Sequence, residues 1–150
     1  MRFARLGLSF DYPDSWMVDT DDAAEGQAAV TVSAPEGGFW SVITHAAGTD
    51  PDSLADAVLQ EMRQEYRDLD SESAADEIRG RTLTGYDFNF YCLDLTNTAQ
   101  VRTLAVPAAT YIFFCQAEDR DWERISHVFA AMTTSFLASL PTLPAAGSGG

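Results

Sequence analysis

The run from residue 83 to residue 117 constrains this chain most, because "LTGYDFNFYCLDL", "QVRTLAV" and "TYIFFCQA" follow one another in it with only short breaks. In the first segment Tyr86, Phe88, Phe90 and Cys92 share one side of a period-2 pattern, while Asp87, Asn89 and Tyr91 share the other until Leu93 and Leu95 turn it apolar. Alternation of this kind is what a strand with one buried face requires. Extended, that segment spans roughly 40 Å at ~3.3 Å per residue. Asn97-Thr98 reads as the turn into the second strand and Pro107 to Ala109 as the turn into the third. The product is an antiparallel meander, so the fold has to be built around an antiparallel sheet.

The rest of the chain supplies more strands and two helices. Segments 5 to 10, 16 to 20, 28 to 34 and 39 to 45 alternate as strands, separated by "YPDS", an acidic loop and "PEGG", all turn formers. In the first of these breaks Pro13 presets φ, Asp14 and Ser15 bond their own backbone, and the turn returns Trp16 toward the core. Asp50 then caps a helix with Pro51 at its first position, and Leu54, Val58, Met62 and Tyr66 recur every four residues to about residue 68. Residues 70 to 79 alternate weakly and carry many charges, as a blunted edge strand does. A second helix carries Trp122, Ile125, Phe129, Met132 and Phe136 on one stripe, behind an acidic first turn. Trp16 and Trp122 are both expected to be largely buried.

These elements fit one domain over residues 1–137, followed by a flexible C-terminal tail over 138–150, "ASLPTLPAAGSGG", which has no periodicity. At 150 residues and 46% hydrophobic content the chain has enough apolar surface for its own core. The charge is lopsided: 23 acidic residues face nine basic ones, all nine are Arg, and the formal net charge is -14. Such a surface repels phosphate backbones and anionic headgroups, which excludes nucleic acid and the membrane surface and favours a basic protein partner. No apolar run reaches the ~18 residues of a span, and "MRFARLGLSFDYP" turns polar too early for a secretory signal, so a cytoplasmic location is expected. Cys92 and Cys115 lie in apolar strand segments and are expected to stay reduced and unlinked, since a strand separates them.

In order, the chain has four strands, a helix, four strands and a helix, an α+β fold in which helices sandwich an antiparallel sheet. An aromatic first strand closed by "FDYPDSW", a helix after the fourth strand, a long hairpin and a closing helix ending "MTTSF" resemble the Mog/PsbP-like superfamily over residues 3 to 137. The resemblance implies an α/β/α sandwich whose central sheet begins with the N-terminal hairpin. It implies binding rather than catalysis: members include the extrinsic PsbP subunit of photosystem II, a nuclear-import factor that binds the Ran GTPase, chaperones for type VI secretion effectors, and bacterial proteins of unknown role. The Pro-x-x-Trp turn builds a corner and performs no chemistry, so no functional residue is carried over.

The residues themselves agree with an adaptor that needs no cofactor. G-x-S-x-G, G-x-x-x-x-G-K-[ST], H-E-x-x-H and C-x-x-C are all missing, and His45 and His127 are the only side chains of a type suited to acid–base work near neutral pH. The rival class is a small hydrolase or metal-dependent enzyme, which would need a histidine beside a nucleophile or a set of carboxylates. The candidate metal ligands are Asp19, Asp21, Asp22 and Glu25 in "DTDDAAEG", since hard cations take several carboxylate oxygens. That segment lacks the EF-hand's glycine at position six and its closing Glu at twelve, and its ordinary role is a solvated acidic loop.

Overall fold

The computed structural model describes residues 1–21 and 27–141. Among the described residues, nine strands and two helices follow in the order β1 (Arg2–Arg5), β2 (Leu8–Asp11), β3 (Met17–Asp21), β4 (Ala28–Ser33), β5 (Phe39–Ala46), α1 (Pro51–Glu65), β6 (Asp70–Ile78), β7 (Arg81–Cys92), β8 (Leu95–Val106), β9 (Ala109–Glu118) and α2 (Asp119–Ser139). Seven strands form one antiparallel sheet in the order β3-β4-β5-β9-β8-β7-β6, with β6 at an edge as its charges require. One seam, β5 against β9, joins strands distant in sequence and pairs Phe39 with Gln116 and Ala46 with Ala109.

The opening of the chain departs from the reading of 5 to 10 as one strand. Leu6 and Gly7 both take positive φ, 58° and 74°, so a two-residue turn splits the segment into the β1–β2 hairpin. Leu6 is no turn former, which is why the break does not show in the sequence. The hairpin stays outside the seven-stranded sheet, and β3 begins that sheet instead. It packs on α2: the Asp11 amide donates to Ser135 Oγ at 2.7 Å, and Phe10, fully buried, meets the Trp40 ring edge-on at 4.9 Å. The Pro13 turn, closed by the Trp16 amide donating to the Pro13 carbonyl, delivers Trp16 onto Phe129. Trp16 is buried, whereas Trp122 is half-buried at the open start of α2.

The long hairpin also turns earlier than Asn97-Thr98. The turn is Leu93-Asp94, with φ of 53° and 64°, and Asn97 and Thr98 lie within β8. With both central residues left-handed this is a type I′ hairpin turn, and here two non-glycine residues accept that conformation. Asn97 is buried and donates to the Leu95 carbonyl, so its polar side chain serves the strand rather than a turn.

Two apolar layers flank the sheet. On one face, Val30, Val32, Trp40, Val42, Tyr111 and Phe113 meet Ile125, Phe129, Met132 and Phe136 of α2, and Trp40 Nε1 donates to Thr133 Oγ1 at 2.9 Å. The other face is covered in part by α1, which packs over β7, β8 and β9. Asp50 caps α1 as expected, accepting from the Asp52 amide, but the helix ends at Glu65 rather than near residue 68. Its buried line is Ala55, Leu59 and Met62, and Leu54, Val58 and Tyr66 sit half-buried beside it. α2 runs to Ser139, two residues into the segment read as a tail, and the Pro141 carbonyl accepts from Arg81. The remainder of the tail, 142–150, lies outside the described residues.

Candidate functional site

Because α1 leans toward β7 and β8, the face it covers stays open over β5 and β9, and a groove of about 490 Å³ runs between helix and sheet there. Register builds its floor. Phe39 pairs with Gln116, Ser41 with Phe114 and Ile43 with Ile112, so alternate residues of two central strands project together. The Phe39 and Phe114 rings stack with centroids 5.8 Å apart. Val58, Met62 and Tyr66 of the α1 segment form the apolar part of the wall, and Glu61 and Glu65 line it as well.

The polar groups of the groove are disposed for one sign of charge. Glu61 and Glu65 are four residues apart on α1, one above the other on the same helix face. Neither forms a salt bridge with a described residue, unlike Asp11, Asp76, Asp87 and Asp121, which each meet an arginine. Across the floor, the register rows continue from Phe39 through Ser33 to Met17, and from Ser41 through Thr31 to Asp19. Met17 is 72% exposed and Asp19 is exposed, so the open face ends at β3 in apolar and acidic side chains. Burial pushes the Tyr66 phenol up from its ordinary value, helped by Cys92 and Glu65, and the group remains a neutral donor at the groove's end.

Of the candidate ligands, Asp19 and Asp21 lie exposed on the same face of β3, opposite Thr31 and Ala29, while Asp22 and Glu25 lie outside the described residues. Among the described residues no group of three or more His, Cys, Asp or Glu is placed to hold a metal ion. His45, opposite Thr110 near the β8–β9 turn, accepts a hydrogen bond at Nδ1 from Gln27 Nε2 at 3.1 Å, whereas Cys92 pairs with Leu95 at the other end of the sheet. Cys115 is buried on the α2 face, where burial pushes its thiol up to about 12, and His127 is exposed on α2. Both cysteines are free.

Sequence reasoning missed two sets of residues. The groove's Phe39, Phe114, Glu61 and Glu65 carry no motif, and the only signal was the spacing of two carboxylates on one helix face. The second set is a buried cation on the opposite face of the sheet. Arg102, 7% exposed, donates to Asp76 at 2.8 Å and Asp87 at 2.7 Å and to the Tyr86 and Val101 carbonyls. Burial opposes its charge, but the two carboxylates more than offset that and hold its pKa above the ordinary value. With every one of these hydrogen bonds made to its own sheet, Arg102 is a structural tie between β6, β7 and β8.

The fold and this groove define a class, an α+β sandwich on one antiparallel sheet with an open, acid-rimmed face. The architecture is the PsbP-like fold. The solution structure of cyanobacterial PsbP (CyanoP) from Synechocystis sp. PCC 6803 matches it with a TM-score of 0.59 at 16% identity, over 90% of this chain and 89% of that one. A protein of unknown function from Pseudomonas aeruginosa, PA94, matches with a TM-score of 0.55 at 12% identity, over 96% and 97%. A crystal structure from Bacteroides thetaiotaomicron matches at 0.53 and 11% identity, over 93% of this chain but 46% of that one. No family model and no curated protein matches the sequence. At these identities the likeness is one of fold, and no helix among the described residues is long and apolar enough to cross a membrane.

Proposed function

We propose that this chain is a non-enzymatic protein-binding module whose α1–β5–β9 groove receives an apolar part of a basic partner. The observation that carries the reading is the groove itself: stacked Phe39 and Phe114 stay accessible on the floor while Glu61 and Glu65 stand on the wall. Apolar surface left open on a chain with a formal charge of -14 selects a partner that brings apolar side chains and positive charge together. The burial of Cys115, which pushes its thiol up to about 12, supports binding over nucleophilic catalysis at that residue.

The test is a charge reversal on the rim. Glu61→Lys/Glu65→Lys changes two exposed side chains and is expected to leave the melting temperature within about 2 °C. Proteins retained from the native host by the unaltered chain, identified by mass spectrometry, should be lost from the variant. A partner retained equally by both would overturn the groove as the binding site.

A further inference from the structure

We infer that the groove reads a short extended segment of its partner in which one aromatic residue stands between two basic residues. This rests on the groove being the binding site, and it follows from the distances the groove offers. Side chains four apart on a helix lie about 5–6 Å from each other, which sets the spacing of Glu61 and Glu65 on the wall. In an extended peptide, residues n and n+2 point to one side about 6.6–6.8 Å apart while n+1 points to the other. Such a segment lying along the groove presents its two outer side chains to Glu61 and Glu65 and its middle side chain to the floor. The two periodicities match to within the reach of a flexible basic side chain.

The floor and the size of the groove select the rest. Phe39 and Phe114 stack nearly parallel, at 28° between planes, and leave an aromatic surface on which a third ring packs offset or edge-on. A volume of about 490 Å³ lies within the roughly 300–1,000 Å³ of sites that hold a drug-sized ligand, about the size of three residues. Arginine suits the flanks better than lysine because its planar head also stacks on aromatic rings, and Tyr66 lines the groove beside Glu65. The interior strands β5 and β9 already pair with their neighbours, so the segment is held by side chains and leaves its own backbone to water.

Three capped peptides, Arg-Phe-Arg, Gln-Phe-Gln and Arg-Ala-Arg, distinguish the parts of this inference when titrated into the isotope-labelled full chain and followed by NMR. Arg-Phe-Arg should shift the resonances of Phe39, Met62 and Phe114. Its affinity should fall about two- to fivefold in Glu61→Gln or Glu65→Gln alone, the effect of an exposed ion pair, and further in the double variant. A well-dispersed spectrum of each variant shows that it is folded. Should Gln-Phe-Gln bind the groove as tightly as Arg-Phe-Arg, the charge pattern is wrong and the groove stands. Arg-Ala-Arg binding as tightly as Arg-Phe-Arg would reduce the effect to diffuse attraction and overturn the aromatic anchor. If none of the three moves the groove resonances, the groove reading falls together with the inference.

Discussion

At the scale of single residues, what this chain does with its titratable groups follows from where the sheet puts them. Partial burial lowers the His45 pKa below its ordinary value, because the imidazolium would give up hydration on the β5 surface. Between the folded pKa and the unfolded value near 6.5, the unfolded chain holds a proton that the folded chain does not, so stability rises with pH across that window. Stability is therefore lost as pH falls below about 6.5, and the loss from this group stops once pH is below the folded pKa. The melting temperature should drop more between pH 7 and pH 5 for the unaltered chain than for His45→Gln. Equal drops would assign the acid sensitivity to carboxylates alone. Neighbouring residues can have opposite fates on one strand: Phe113 is sealed beneath α2 while Phe114 faces the groove, and only strand alternation separates them.

Single elements show where the sequence speaks and where it is silent. At the β7–β8 turn Leu93 and Asp94 both occupy the left-handed region, and Leu93 is 92% exposed, so its side chain gains nothing there to offset the conformational cost. Leu93→Asn with Asp94→Gly supplies the residues that this turn favours and should stabilise by about 1 kcal/mol, raising the melting temperature by roughly 2–4 °C. Thermal denaturation of the double variant checks this, and a lower midpoint would show that the turn side chains contribute a contact of their own. The same turn marks a limit of sequence reading. Helix α2 was legible because Ile125, Phe129, Met132 and Phe136 repeat one face, α1 because Asp50 and Pro51 mark its start, and β6 because its charges blunt an edge. Leu6-Gly7 and Leu93-Asp94 were not legible, because only the second residue of each turn is a turn former and a leucine holds the other left-handed position between paired strands. The groove was illegible for a related reason: Phe39, Phe114, Glu61 and Glu65 sit on three elements and converge only when β5 pairs with β9.

At the scale of the whole molecule, the proposed binding role joins the acidic balance to the open face: under that proposal a field from many carboxylates draws a basic partner in and the apolar floor retains it. That field is screened beyond about 8 Å at physiological salt, so in the proposed role the charge would guide encounter while the groove would set residence. The β5–β9 seam has a consequence in time as well as in space. Every other neighbouring pair in the large sheet joins consecutive strands, so β3-β4-β5 and β6-β7-β8-β9 can each assemble through local turns. Their union has to close the long segment between Ala46 and Ala109, and loop closure costs entropy before any contact rewards it. Joining the two meanders is thus expected to be the slow event of folding. Ile112→Val at the seam should slow refolding with little change in the unfolding rate, whereas Val18→Ala on the edge strand β3 should mainly speed unfolding. Stopped-flow chevrons of the two variants would show it, and the reverse pattern would place the seam after the barrier. On this view the strand pair that forms the floor of the groove is also the one whose meeting commits the chain to fold.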